Sequence, residues 1–238
     1  MKKHAIVTDR ARRPETAQRD APRPREPLVG AAFETAAAAT AHLPPADVPE
    51  IAFAGRSNSG KSSAINALAR HRGLAFASRT PGRTQQINFF RLRGGARAVD
   101  LPGYGYAAVS KSLQREWQAF LWDYVCQRST LVGLVLVTDA RHGLKPADLE
   151  LIAAFAVSAR PVLILATKSD KLNIAERRAA VKGIHAALAQ CSFPVTPDVV
   201  AFSATSRQGV TEADAVLANW LPPPSRDEDR KRPRDQGE

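Results

Sequence analysis

The sequence predicts a three-layer α/β domain built on a six-stranded, mostly parallel sheet. Three observations carry that expectation. Short runs that are apolar nearly throughout, such as Leu131 to Val137 and Pro161 to Thr167, alternate with amphipathic stretches of helical period. Strands of that kind are buried on both faces, so helices must cover the sheet on both sides. Each candidate motif falls on a strand-to-helix loop, the edge where open α/β sheets hold ligands.

The elements follow in order. Residues 1 to 28 are rich in Arg, Pro and Asp without apolar periodicity, and read as a disordered basic arm. The alanine run Ala36 to Ala39 fits a surface helix. Glu50 to Ala54 reads as a strand and Lys61 to Arg70 as a helix with Ile65 and Leu68 on one face. Ile87 to Leu92 and Arg97 to Leu101 read as strands joined by a turn at Gly94-Gly95. Ser110 to Arg128 is an amphipathic helix carrying Leu113, Trp117, Phe120, Leu121 and Tyr124. Strands at Leu131 to Thr138, Pro161 to Thr167 and Asp198 to Ser203 alternate with helices at Pro146 to Ala159, Ala175 to Gln190 and Val210 to Leu221. Pro222-Pro223-Pro224 stops the last helix, and the rest to Glu238 is a charged, disordered tail. The folded domain is thus expected over residues 29 to 221.

Composition narrows the function classes. The chain has 238 residues, enough to bury a core without staples, and a formal net charge of +11. That charge favours polyanionic partners. Cys126 and Cys191 lie in apolar, helix-like stretches, in no disulfide framework or zinc spacing, and read as reduced core thiols of a cytoplasmic protein. No run approaches the roughly 20 apolar residues of a membrane span, and Met1-Lys2-Lys3 opens no secretory signal.

Gly55-Arg56-Ser57-Asn58-Ser59-Gly60-Lys61-Ser62 follows a strand and opens a helix, the context a phosphate-binding loop requires. Its glycines let the backbone wrap closely around phosphates, and the helix N-terminus adds positive potential. Lys61 is expected on the β and γ phosphates, and the Ser62 hydroxyl on Mg²⁺. Asp100-Leu101-Pro102-Gly103 ends a later strand. An aspartate there helps to hold magnesium, and the Gly103 amide can contact a γ phosphate. Thr167-Lys168-Ser169-Asp170 follows another buried strand. Asp170 can accept two hydrogen bonds from guanine N1 and N2, and the stem of Lys168 can lie over the base. Thr167 stands where related loops carry asparagine, which leaves the bracing of the loop open. Phe202-Ser203-Ala204 ends the last strand, where a short loop can support guanine O6.

Between the first helix and second strand lies Arg79-Thr80-Pro81-Gly82-Arg83-Thr84-Gln85-Gln86. GTPases keep their first switch there. Gly82 supplies mobility, Arg83, Gln85 and Gln86 line the nucleotide, and Thr84 is the expected metal-binding and catalytic threonine beside Lys61, with Thr80 the alternative. Together these loops predict a Ras-like P-loop GTPase domain.

The strings Glu50 to Ser63, Thr80 to Gln85, Asn88-Phe89-Phe90, Leu101-Pro102-Gly103-Tyr104-Gly105-Tyr106, Asp139-Ala140-Arg141-His142 and Thr167 to Lys171 resemble the bacterial EngB (YihA/YsxC) GTPases. The resemblance covers about residues 30 to 221. It implies a monomeric GTPase that binds the large ribosomal subunit late in assembly and is needed for division and septation. The alternatives are a GTP-binding module of division control acting away from the ribosome, and an ATPase assembly factor. Nothing in the sequence predicts sequence-specific DNA recognition.

Tyr104 stands where Ras-like enzymes keep a water-orienting glutamine, so intrinsic hydrolysis is expected to be slow until a partner or ion helps. Asn58 offers a K⁺ site by likeness to related GTPases; otherwise it only braces the loop. Arg70, Arg72, Arg79, Arg83, Arg91, Arg93 and Arg97 surround the switch without one acidic residue between 70 and 97. They read as an rRNA-facing surface or a solvated basic face. Tyr104 and Tyr106 read as aromatics exposed to a partner, Trp117, Trp122 and Trp220 as packing residues, and His142 as a loop brace.

Overall fold

The structure is a computed structural model that describes residues 25–76, 86–104 and 111–222, with the side chains of 111–118 left aside. Seven strands form one sheet in the order β1-β3-β4-β2-β5-β6-β7. They are β1 (Ala32–Ala37), β2 (Glu50–Gly55), β3 (Ile87–Arg91), β4 (Arg97–Asp100), β5 (Leu131–Asp139), β6 (Val162–Thr167) and β7 (Asp198–Ala201). The pairs β1/β3 and β3/β4 are antiparallel, and all other pairs are parallel. Five α-helices complete the domain: α1 (Lys61–Leu68), α2 (Lys111–Gln127), α3 (Pro146–Ala156), α4 (Ile174–Leu188) and α5 (Val210–Trp220).

The extra strand corrects the expected count of six. Alanine favours helix, and the run from Ala36 suggested one. Yet Ala36 and Ala37 pair with Asn88 and Ile87 of β3, while Phe33 meets Phe90 edge to face with centroids 6.2 Å apart. Cross-strand pairing and burial of Ala37 outweigh a propensity of a few tenths of a kcal/mol. Elsewhere element ends shift by one to three residues.

Alternation along the central strands sends side chains to two cores. Ile51 and Phe53 of β2 pack with Ile65, Leu68 and Leu217 on the α1/α5 face. Ala52 and Ala54 pack with Tyr124, Phe155 and Ile184 on the face covered by α2, α3 and α4. Leu28 is fully buried in the first core, and Arg25 donates to the main-chain oxygens of Ala218 and Pro222. The ordered domain therefore begins by residue 25, inside the stretch expected to be a free arm.

A buried ionic cluster sits at the base of the sheet, away from the motif loops. Glu50 is wholly buried and receives Arg128 at 2.6 Å and the Tyr124 phenol at 2.8 Å. Arg97 lies beside it and reaches Glu34 and Asp47. Arg97 is therefore a core residue and leaves the predicted basic face. Arg70 is exposed but paired to Glu26. Arg72, Arg91 and Arg93 are exposed, while Arg79 and Arg83 lie outside the described residues. Trp220 packs as expected, against Gly133, but Trp122 is exposed, and Trp117 lies among the side chains left aside. Cys126 and Cys191 are unpaired and half-buried. Among the described residues no helix is long and apolar enough to cross a membrane.

Candidate functional site

The loop from Gly55 to Ser62 joins β2 to α1. Gly55 packs so closely on β5 that a Cβ there would lie 2.5 Å from the Val137 main-chain oxygen. Gly60 caps α1 with φ 94°, a left-handed conformation that costs other residues strain. Asn58 is exposed and left-handed at φ 64°. Ser59 is buried, and Arg56, Ser57 and Ser62 are half-buried. The Lys61 ammonium donates to Asp100 Oδ1 at the end of β4. Leu101 is buried and continues the β4 pairing through its N–H to Phe53, and Pro102 and Gly103 follow half-exposed. The two strand ends thus bring a phosphate-type cation and a metal-type carboxylate to one point.

The guanine-type loop lies on the phosphate loop. Thr167 is buried, and its hydroxyl lies within hydrogen-bond reach of the main-chain oxygens of Ser59 and Thr138. It can therefore brace the loop that asparagine braces in related sequences. Lys168 Nζ donates to the Asn58 main-chain oxygen at 2.7 Å and pairs with Asp139 Oδ2 at 2.9 Å. Burial would raise the Asp139 carboxyl, but hydrogen bonds from Arg141 and Lys168 outweigh it and hold the group well below the usual carboxylate range. His142 is exposed, and its main-chain N–H, rather than its imidazole, bonds the Asp139 main-chain oxygen in the turn.

Asp170 and Ser203 meet across the loops after β6 and β7. Ser203 Oγ donates to Asp170 Oδ1 at 2.7 Å. That bond, the largest influence on the carboxyl, lowers its pKa and keeps it an acceptor. Ser169 N donates to the Phe202 main-chain oxygen, and Ser203 N to that of Gln208. Phe202 is fully buried and Ala204 half-buried, so the short loop is anchored from below.

Of the first-switch residues, Gln86 is exposed just before β3, while Thr80, Gly82, Arg83, Thr84 and Gln85 lie outside the described residues, as does Tyr106. Tyr104 departs from expectation. Its ring is half-buried and its phenol donates to Asp148 Oδ1 at 2.7 Å, so it is not a free aromatic. Asp148, Asp139, Arg141 and Gln208 brace the site without being foreseen as doing so. Asp148 follows Pro146 in the first turn of α3, where an acidic residue is favoured, but its tertiary partners leave no trace in sequence.

Magnesium is implied by the fold family. Ser62 in the first turn of α1 and Asp100 at the end of β4 present a hydroxyl and a carboxylate oxygen, hard donors of the kind Mg²⁺ takes together with water and phosphate. They fit that ion.

Fold and loop cluster together define a P-loop GTPase domain. A family model described as "50S ribosome-binding GTPase" matches residues 50–168. A curated relative, the probable GTP-binding protein EngB of Azoarcus sp. (strain BH72), is 49% identical over 193 residues, covering 81% of this chain and 92% of that one. The chain belongs to the EngB family of GTP-binding proteins. Among solved structures, a probable GTP-binding protein engB superposes with TM-score 0.55 at 21% identity, covering 72% of this chain and 97% of that one. Bacterial selenocysteine-specific elongation factor EF-Sec gives TM-score 0.53 at 20% identity over 73% of this chain. This chain spans 28% of that factor's length, and the likeness is one of fold.

Proposed function

We propose that this GTPase is a nucleotide-dependent switch in assembly of the large ribosomal subunit, working as a cytoplasmic monomer, and that normal division and septation depend on it. The match of residues 50–168 to a family described as 50S ribosome-binding carries the ribosomal part. Exposed Arg72, Arg91 and Arg93 and the net charge of +11 support an rRNA contact.

In this reading the loop from Gly55 to Ser62 wraps the phosphates, with Lys61 on the β and γ groups. Ser62 and Thr84 hold Mg²⁺, with Asp100 behind them through water. Bound magnesium supplies charge neutralisation on the transferring phosphoryl group. The Gly103 amide and the segment from Gly82 to Gln86 sense the terminal phosphate. Thr167 to Asp170 and Phe202 to Ala204 select guanine. Tyr104 has no side-chain amide with which to orient water, so hydrolysis by water is slow and a partner, or K⁺ at Asn58, accelerates it. Equal GTP turnover in K⁺ and Na⁺ would remove the ion from this account.

Cosedimentation with purified ribosomal subunits tests the function. Binding to the large subunit is expected with a GTP analogue, weaker with GDP, and falling steeply across a salt series. Binding to neither subunit in any nucleotide state would refute the ribosomal role and leave the GTPase intact.

A further inference from the structure

The Asp148 carboxylate is wholly buried and serves three separate segments. It lies in the first turn of α3, where Oδ2 accepts the Lys145 N–H at 2.8 Å. Helix capping accounts for that contact alone, and a cap does not require burial. Oδ1 accepts the Tyr104 phenol. Arg56 Nε stands 3.5 Å from Oδ2 and makes no hydrogen bond among the described residues. Arg56 belongs to the phosphate loop, and Tyr104 directly follows Gly103. A charge taken this far from water is costly unless its partners compensate, and here those partners come from the two loops that meet the phosphates.

The backbone repeats the link. Arg56 and Tyr104 form a parallel bridge, and Ser57 N donates to the Tyr104 main-chain oxygen at 3.2 Å. Gly103 rests on Ser57 so tightly that a Cβ would lie 3.0 Å from Ser57 Oγ and 3.1 Å from Ser57 N. Gly103 and Tyr104 share a peptide unit. A shift of Gly103 off Ser57 toward a terminal phosphate therefore drags Tyr104 and strains its bond to Asp148. Burial, and then the Asp148 charge, push the Tyr104 phenol far above its ordinary pKa, so it stays a proton donor at physiological pH.

We propose that Asp148, Tyr104 and Arg56 form a latch that holds Gly103 down on the phosphate loop, favours the diphosphate state, and carries the presence of a terminal phosphate to the start of α3. Asp148 and Tyr104 are positioning residues here: they act through Gly103. The latch rests on the GTPase assignment and adds to it a route from the nucleotide to the surface of α3. Any ligand that binds the released α3 better than the latched one then favours GTP reciprocally.

The test uses the full chain with Tyr104→Phe, Asp148→Asn and both together. Each is titrated with fluorescent GDP and a non-hydrolysable GTP analogue, and melted thermally. Tyr104→Phe should move the affinity ratio toward the GTP analogue by roughly fivefold or more. Asp148→Asn should move it in the same direction, and the double variant no further than the larger single effect. An unchanged ratio, a shift toward GDP, or an equal loss of both nucleotides overturns the latch. If Asp148→Asn does not fold, Tyr104→Phe decides alone, because it keeps the ring and removes only the hydroxyl. A wild-type chain that binds neither guanine nucleotide would overturn the GTPase assignment and the latch together, a result distinct from an unchanged ratio.

Discussion

The Thr167 hydroxyl reaches the main-chain oxygen of Ser59, so the loop after β6 and the loop after β2 share a buried hydrogen bond. Thr167→Val keeps the shape and removes the donor. It should cost about 1–2 kcal/mol of stability, the usual cost of leaving a buried acceptor without one partner. Both GDP and GTP-analogue affinity should fall together, because the brace precedes any distinction between them. Parallel denaturant titrations and nucleotide binding curves check both parts.

Asp170 is held as an acceptor by Ser203. Asp170→Asn turns one carboxylate oxygen into a donor that clashes with guanine N1–H and N2–H. GTP binding should be lost and xanthosine triphosphate binding gained, measured by competition against a fluorescent nucleotide. Unaltered GTP binding would remove Asp170 from base recognition, and ATP binding by the wild-type chain would favour an ATPase.

Asp214 on α5 is buried, and its Oδ1 has no hydrogen-bond partner among the described residues. Burial, then the nearby Glu26 charge, push its carboxyl up to about 7 from 3.8, against the pull of Arg70 and Arg207. Below 3.8 the group is protonated in both states. Between 3.8 and about 7 the unfolded chain releases the proton while the folded chain keeps it, so stability falls as pH rises. Asp214→Asn should therefore match wild type near pH 4 and exceed it by about 1–3 kcal/mol at pH 8. Urea denaturation at the two pH values decides; an equal difference at both would contradict the assignment.

Glu50 holds Arg128, Tyr124 and Arg97 beneath the sheet. Glu50→Ala strips the buried arginines of their shared anion and should cost about 3–5 kcal/mol. Because the cluster lies away from the motif loops, the folded fraction should bind nucleotide normally. Chemical denaturation alongside active-site titration separates the two effects.

The placement of the motif loops at one edge of the sheet was largely legible because each motif is contiguous. Gly60 needs its left-handed φ, Asp100 ends β4, and Lys61, Asp170 and Ser203 lie a few residues beyond β2, β6 and β7. The sheet edge was less legible: β1 is alanine-rich, and only its pairing with β3 makes it a strand. Long-range polar partners were least legible. Nothing local says that Arg97 leaves the arginine-rich stretch for Glu34 and Glu50, or that Tyr104 finds Asp148. Such contacts depend on how α3 and the first strands dock, which no local period encodes.

Arg25 grips the main-chain oxygens at the end of α5 and so sets the two flanks of the domain side by side at the foot of α5. The head of α5 instead follows the Ser203 loop, on the side of the motif loops. A surface tether or fluorophore attached at either flank would thus hold the domain by its base with the motif loops outward. Residues 25 and 222 are also close enough to be joined by a short linker, making the domain a natural candidate for circular permutation.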